Sequence, residues 1–239
     1  MRKMLINLLN KSVIYAIISK KVQGVLNMSK IMVLGCVCQE CDMEFAVNDY
    51  LTNVVNLDYD SDKKSEFENM ELNRVCCPHC KKSFTFEIPM VFVSSKLKYA
   101  IKVNPQSFTI ESDTGSFPEF LIPDGFRLRE VYFQVEALEK HRIFESLCDD
   151  KVVEYIKLLE FDNSDALPFD EVNLVFDNCD NNTYCFCKYN STNDCLEKYN
   201  IDATNIKLPL FDESTFSGKW QRINRLTIND YIKKENGYE

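Results

Sequence analysis

Two C-x-x-C pairs constrain this chain more than any other feature in it. Cys38-Gln39-Glu40-Cys41 and Cys77-Pro78-His79-Cys80 lie thirty-five residues apart in a sequence of 239. Two thiolates at that spacing can chelate one metal ion from a single tight turn. The amides of the turn can point at the sulfurs and stabilise their charge. Two such turns complete a tetrahedral shell of four cysteines, the donor set that suits zinc. The flanks repeat too: Phe45 stands four residues beyond Cys41, and Phe84 four beyond Cys80, each with apolar alternation around it. Each unit therefore reads as a knuckle followed by a half-buried strand of period two. The expected metal ligands are Cys38, Cys41, Cys77 and Cys80. With four thiolates the shell is closed to water and substrate, so zinc is expected to staple the fold rather than to catalyse. Knuckles often carry Gly after the second Cys, where a positive φ is wanted; Asp42 and Lys81 stand there instead.

The remaining counts narrow the chemistry. The chain holds 11 cysteines, 6 glycines and 2 histidines. It has no glycine-rich phosphate loop of either common kind and no H-E-x-x-H helix. Any His-based triad would rest on His79 and His141 alone. Cys36 lies two residues before Cys38, whereas Cys76 lies one before Cys77, so neither completes a turn of its own. Both are expected as small buried hydrophobes. His79 is expected to face solvent from its turn. His141 has Glu145 one helical turn on and Cys148 two turns on. An exposed His beside a carboxylate is the expected arrangement, with a Cys–His dyad as the sharper alternative. Cys185 and Cys187 share one strand face, with Cys179 and Cys195 nearby. They lack the knuckle form and read as free cysteines, a second metal being the alternative. An odd cysteine total cannot all pair internally, and no secretory leader is recognisable, so reduced thiols in a cytoplasmic protein are expected.

Charge separates the chain into unequal parts. The formal balance is −9, from 28 basic and 37 acidic residues. Residues 1–39 hold Arg2, Lys3, Lys11, Lys20, Lys21 and Lys30 and no acid, which leaves −15 for the rest. A body this acidic repels phosphate backbones, which disfavours general nucleic-acid binding. Residues 1–27 form a basic apolar extension that is either helical or dispensable. Leu5, Leu8, Leu9, Ile14, Ile17, Ile18 and Val22 could line one side of a helix, packed on the body or resting on an anionic membrane. No apolar run there is long enough to span one.

Downstream, Asp58, Asp60 and Asp62 imitate a calcium loop, but Lys63 stands where its Gly belongs and Asn69 where its Glu belongs. A solvated acidic loop or short helix is expected over 48–72. Residues 83–103 alternate as two or three strands, with a bend at Pro89. Residues 104–126 read as a long loop with a strand near Phe108–Ile110. Leu128, Val131, Tyr132, Val135, Leu138, Phe144 and Leu147 have helical spacing. A second helix starts at Asp149 and Asp150, with Val152, Val153, Ile156 and Leu159 as its face. The two form a hairpin packed on the sheet. Asn173–Phe176 and Thr183–Cys187 read as strands around a longer loop, and Trp220, Ile223, Leu226, Ile228 and Tyr231 dock the C-terminus.

From Val33 onward these residues resemble the CpXC domain proteins, a bacterial and archaeal group named for two C-P-x-C motifs. The resemblance covers Cys38 and Cys41, the acidic insertion, Cys77-Pro78-His79-Cys80, the strand-rich FTFEIPMVFVSSKLKYAIKVNP and the helical LREVYFQVEALEKHRIFESLCDDKVVEYIKLLEF, just over half of the chain. Gln39 departs from the motif's Pro. The resemblance implies zinc-ribbon-like metal binding and no particular activity. The fold expected is α+β: a zinc-ribbon-like four-cysteine β unit with a packed helical hairpin, plus a C-terminal mixed segment. The expected divisions are 1–27, a zinc-binding domain over 28–162, and an α+β extension over 163–239. The expected function is a zinc-stabilised, non-enzymatic module that binds a protein partner. A nucleic-acid-associated regulator, with Lys81, Lys82, Lys96 and Lys98 as its basic cluster, and an enzyme with an unrecognised site are the alternatives.

Overall fold

The computed structural model of the protein describes residues 15–17, 30–38, 40–46, 50–86, 88–105, 122–163, 172–190, 196–212, 216 and 219–237. Among them are thirteen strands and four helices, a mixed α+β content. Contacts divide the chain into two units. One is Lys3–Arg127 with Val131–Ala137; the other is Met1–Arg2 with Leu128–Glu130 and Leu138–Glu239.

The first unit carries both C-x-x-C pairs. Strand β1 (Tyr15–Ile17) pairs antiparallel with β2 (Lys30–Val37), so these three residues are strand rather than the helix suggested by apolar spacing. The other residues of 1–14 and 18–27 lie outside the described set. β2 also pairs with β3 (Glu44–Phe45) and β4 (Tyr50–Thr52). β5 (Val54–Asn56) runs parallel to β8 (Met90–Ser94), which pairs antiparallel with β9 (Tyr99–Val103). The ends of β10 (Arg127–Val131) bond to the far side of β9: Arg127 N donates to Lys98 O and Asn104 N to Val131 O. A separate hairpin joins β6 (Arg74–Cys76) to β7 (Ser83–Thr85).

The acidic stretch between the knuckles is more ordered than its composition suggests. It contributes β4, β5 and helix α1 (Ser61–Glu68). Asp58, Asp60 and Asp62 each have a local structural place. Asp58 accepts from Ser94 Oγ and Lys96 N, Asp60 caps α1 by accepting from Lys63 N, and Asp62 lies in the first turn, where negative charge meets the helix dipole. The helix turns Phe67 inward, where its ring stacks on Phe92 at 4.0 Å between centroids. Phe67, Leu72, Phe92, Tyr99 and Ile101 are fully or almost fully buried and form much of this core. Asn73 clasps the Thr52 backbone on both sides, accepting from its N–H at 2.7 Å and donating to its carbonyl at 2.8 Å. The strand expected near Phe108–Ile110 lies outside the described residues.

The second unit is built on helices α2 (Gln134–Glu145, from Leu138 onward) and α3 (Asp150–Asn163), strands β11 (Val172–Asp180), β12 (Thr183–Asn190) and β13 (Leu196–Asp202), and helix α4 (Arg225–Glu235). Two sequence expectations are corrected. Arg127–Val131 is strand, and α2 begins only at Gln134; the buried Arg129 and Val131 alternate with less buried Leu128 and Glu130, a period of two. Leu147 is 82% exposed at a positive φ and ends the α2 turn instead of packing. The β11–β12 loop is also shorter than expected. Asn181 and Asn182 both hold positive φ, the conformation of a two-residue hairpin turn of the type that matches strand twist. At the C-terminus, Asn224 and Thr227 form a reciprocal cap on α4. Ile223, Ile228 and Leu158 pack with Tyr155, Phe211, Phe216 and Ile232, while Leu226 faces outward at 46% exposure.

Candidate metal centre

The two hairpins of the first unit present their cysteines in the same way. In the first, β2 runs into Cys38 and β3 leaves after Met43; in the second, β6 runs into Cys77 and β7 leaves after Lys82. The turns close with matching hydrogen bonds. Cys38 N donates to Met43 O (3.0 Å) and Asp42 N to Cys38 O (2.9 Å); Cys77 N donates to Lys82 O (2.8 Å) and Lys81 N to Cys77 O (3.0 Å). Asp42 and Lys81 hold φ of 56° and 64°, so the left-handed position forms without Gly. Cys36 pairs with Phe45 exactly as Val75 pairs with Phe84, which fixes the repeat at thirty-nine residues. The two Phe rings meet edge to face at 6.1 Å between centroids.

All four Sγ atoms lie within 4.8 Å of one another. Cys38 Sγ is 3.6 Å from Cys80 Sγ, and Cys41 Sγ is 3.8 Å from Cys77 Sγ, so the first cysteine of each turn meets the second of the other. Cys38 and Cys77 are fully buried, and Cys41 and Cys80 form the half-buried rim. Electrostatics divides the thiols. Burial opposes ionisation of Cys77, but the amides of Cys80 and His79 outweigh it and lower the thiol to about 6. At Cys41 the Met43 amide favours the thiolate. Burial and the thiols of Cys38, Cys80 and Cys77 prevail and push it up to about 12. Four sulfurs this close cannot all ionise unless a cation stands among them. The donor set and its size can hold one metal ion.

Neighbouring residues fall into two groups. Cys36 is buried as expected, and burial, with Cys38 and Cys77 nearby, pushes its thiol up to about 11. Cys76 is exposed, against expectation. It occupies the repeat position of Val37, one residue out of step with Cys36, and so falls on the opposite strand face. His79 is exposed in its turn, and Gln39 lies outside the described residues. Beside this hairpin is a groove of about 520 Å³ lined in part by Lys63, Glu66, Glu71 and Arg74. Its two carboxylates are in ion pairs, Glu66 with Lys63 at 2.7 Å and Glu71 with Arg74 at 3.2 Å.

The remaining candidates lie in the second unit. His141 is buried, against expectation, with Nε2 3.5 Å from Glu145. The Cys148 thiol bonds to the Ser146 carbonyl at 3.6 Å rather than forming a dyad with His141, and burial, with Cys179 nearby, pushes it up to about 12. Cys185 and Cys187 are buried on one strand face. Neither they nor Cys179 belong to a cluster of potential metal ligands among the described residues; Cys195 lies outside those residues.

Sequence reasoning missed a buried chain of alternating charges. Arg129 donates Nε and Nη2 to Asp150 at 2.7 and 3.0 Å, and Nη1 to Gln221 Oε1 at 2.7 Å. Lys140 lies 3.5 Å from Asp150 and 2.9 Å from Glu154. Lys157 joins Glu154 to Glu139, whose carboxylate also accepts from Phe176 N. All six charged side chains are buried. Burial alone would raise the Asp150 carboxyl, but Lys140 and Arg129 hold it at about 2. The one available signal was that α3 places Asp150, Glu154 and Lys157 along one face, a pattern that ordinarily marks solvent.

No helix among the described residues is long and apolar enough to cross a membrane. A family model described as CpXC protein matches residues 36–157, more than half of the chain and all four clustered cysteines. No curated protein and no solved structure matches the chain.

Proposed function

This chain belongs to the CpXC protein family, and on that premise we propose that it is a zinc-stabilised, zinc-ribbon-like module that acts by binding a protein partner. The observation that carries the zinc reading is the size of the thiol cluster. An ion held at about 2.3 Å from four tetrahedral sulfurs requires S···S edges of about 3.8 Å; two of the edges are 3.6 and 3.8 Å, and none exceeds 4.8 Å. Four thiolates fill the shell, so zinc would supply cross-linking of two hairpins rather than a reactive site. A protein partner is supported by the −15 balance beyond residue 39, which opposes phosphate backbones.

Elemental analysis of the purified full chain is expected to give about one zinc per chain. Cys38→Ser should lose the metal and melt at a lower temperature, and the exposed Cys76→Ser should keep both. Unchanged metal content and stability in Cys38→Ser would sink the structural-zinc reading. For the partner, the module is expected to co-purify with one protein at fixed stoichiometry and to leave nucleic-acid mobility unshifted at low salt. A salt-dependent shift would overturn that part.

A further inference from the structure

Phe45 and Phe84 stand at equivalent places in the two hairpins, each four residues past the second cysteine of its turn. We propose that they are positioning residues for the metal, and that their ring contact sets how slowly the ion is released. The proposal rests on the zinc reading and adds to it a role for two side chains that carry no donor atom.

The geometry is that of two half-sites. Each hairpin supplies two of the four sulfurs, and neither can fill a tetrahedral shell alone. The sulfur contacts run crosswise, Cys38 to Cys80 at 3.6 Å and Cys41 to Cys77 at 3.8 Å. Exchanging the two hairpins turns one of these contacts into the other. The same exchange turns the Phe45–Phe84 contact into itself, with centroids 6.1 Å apart and ring planes at 74°. In that arrangement the positive edge of one ring meets the negative face of the other. The hairpins are thus joined by a direct contact that does not pass through the ion.

Each ring is also held from behind. Phe45 pairs across its hairpin with the buried Cys36, and β2 carries that hairpin into a wider sheet through β4. Phe84 meets Phe86 edge to face at 5.5 Å between centroids. Phe86 is buried; its N–H donates to Asn73 O at 3.1 Å, and its carbonyl accepts from Gln134 Nε2 at 3.1 Å. Asn73 in turn clasps Thr52 of β4. The rings therefore meet on backbones fixed by the rest of the first unit, and their contact opposes separation of the half-sites. Separation is the step that matters for release. An ion left on one hairpin has two thiolates and two open positions, which a competing chelator can occupy; with both hairpins closed the shell is full. Both rings are half-buried, so trimming them leaves the apolar core around Phe67 in place.

The test measures zinc transfer from the full chain to excess pyridylazoresorcinol, followed by the colour of the dye complex. Phe45→Leu and Phe84→Leu are each expected to release zinc roughly two- to tenfold faster than the wild type, the range an aromatic pair accounts for. The double variant should be no faster than the faster single one, because the contact is already lost. Phe45→Tyr, which keeps the ring, should restore the wild-type rate. Cobalt-loaded Phe45→Leu and Phe84→Leu should keep the visible spectrum of a four-thiolate centre, with the donors unmoved. Phe67→Leu, in the apolar core, should melt lower yet release zinc at the wild-type rate. Wild-type release from both single leucine variants overturns the proposal. So do multiplying effects in the double variant, fast release from Phe45→Tyr, an altered cobalt spectrum, or equal acceleration in Phe67→Leu. A wild-type chain that binds no zinc sinks the zinc reading and this proposal with it. A zinc-loaded chain whose leucine variants release at the wild-type rate sinks this proposal alone.

Discussion

At the scale of single residues, the four cysteines show how far spacing alone can reach. A C-x-x-C pair closes its own turn, so its geometry is local, and local geometry is what a sequence displays. The turn's third requirement was less visible, because Asp42 and Lys81 take the left-handed conformation at φ of 56° and 64° without being glycine. That conformation costs a side chain roughly 1–2 kcal/mol. Asp42→Gly is therefore expected to hold or raise the unfolding free energy of the metal-loaded first unit, by up to about 1 kcal/mol once glycine's extra chain entropy is counted. Asp42→Val should lower it by roughly 1–2 kcal/mol. Denaturant midpoints of the zinc-loaded variants distinguish the two. The opposite fates of Cys36 and Cys76 were legible in part: the sequence shows that they are out of step, but only the strand pairing shows which face is covered.

At the scale of elements, helices α2 and α3 expose the limit of reading apolar periodicity. Val153, Ile156 and Leu158 are buried as an apolar face should be, yet Asp150, Glu154 and Lys157 are buried too. Their partners, Arg129, Lys140 and Glu139, lie on β10 and α2, and no one-dimensional pattern links them. Removing one member of such a chain strands its neighbours as buried, unpaired charges. Lys140→Met is expected to destabilise the second unit by about 3–5 kcal/mol, read from urea unfolding. The network also predicts a pH response. The Asp150 carboxyl is held near 2 in the folded protein, against roughly 3.9 in an unfolded chain. A depressed carboxyl contributes stability that is fully present above pH ~4 and is lost as pH falls toward ~2. Thermal melts from pH 6 to 2 should show that loss in the wild type, and Asp150→Asn, already less stable at pH 6, should fall less steeply across the window. An equal slope in the two proteins would contradict the assignment.

At the scale of the whole molecule, removal of metal should act unevenly. The thiol cluster joins two small hairpins, whereas β8, β9 and α1 share an apolar core of their own around Phe67, Phe92 and Ile101. A chelator is expected to strip hydrogen-exchange protection from residues 36–45 and 74–86, leaving β8 and β9 protected; loss across the entire unit would show that the metal holds the apolar core as well. The α+β class was readable from the alternation of strand-like and helical stretches. The ordered strands within the acidic insertion were not, because short strands such as Tyr50–Thr52 are recruited by neighbours far along the chain. The separation of the two knuckles has one more consequence, which concerns time. Cys38 and Cys41 leave the ribosome well before Cys77 and Cys80. During that interval the newborn chain offers only half a binding site, and β6 and β7, which frame the other half, do not yet exist. An ion could therefore close the four-sulfur centre only after Cys80 has emerged, and until then Cys38 and Cys41 wait without the sulfurs they face in the folded chain.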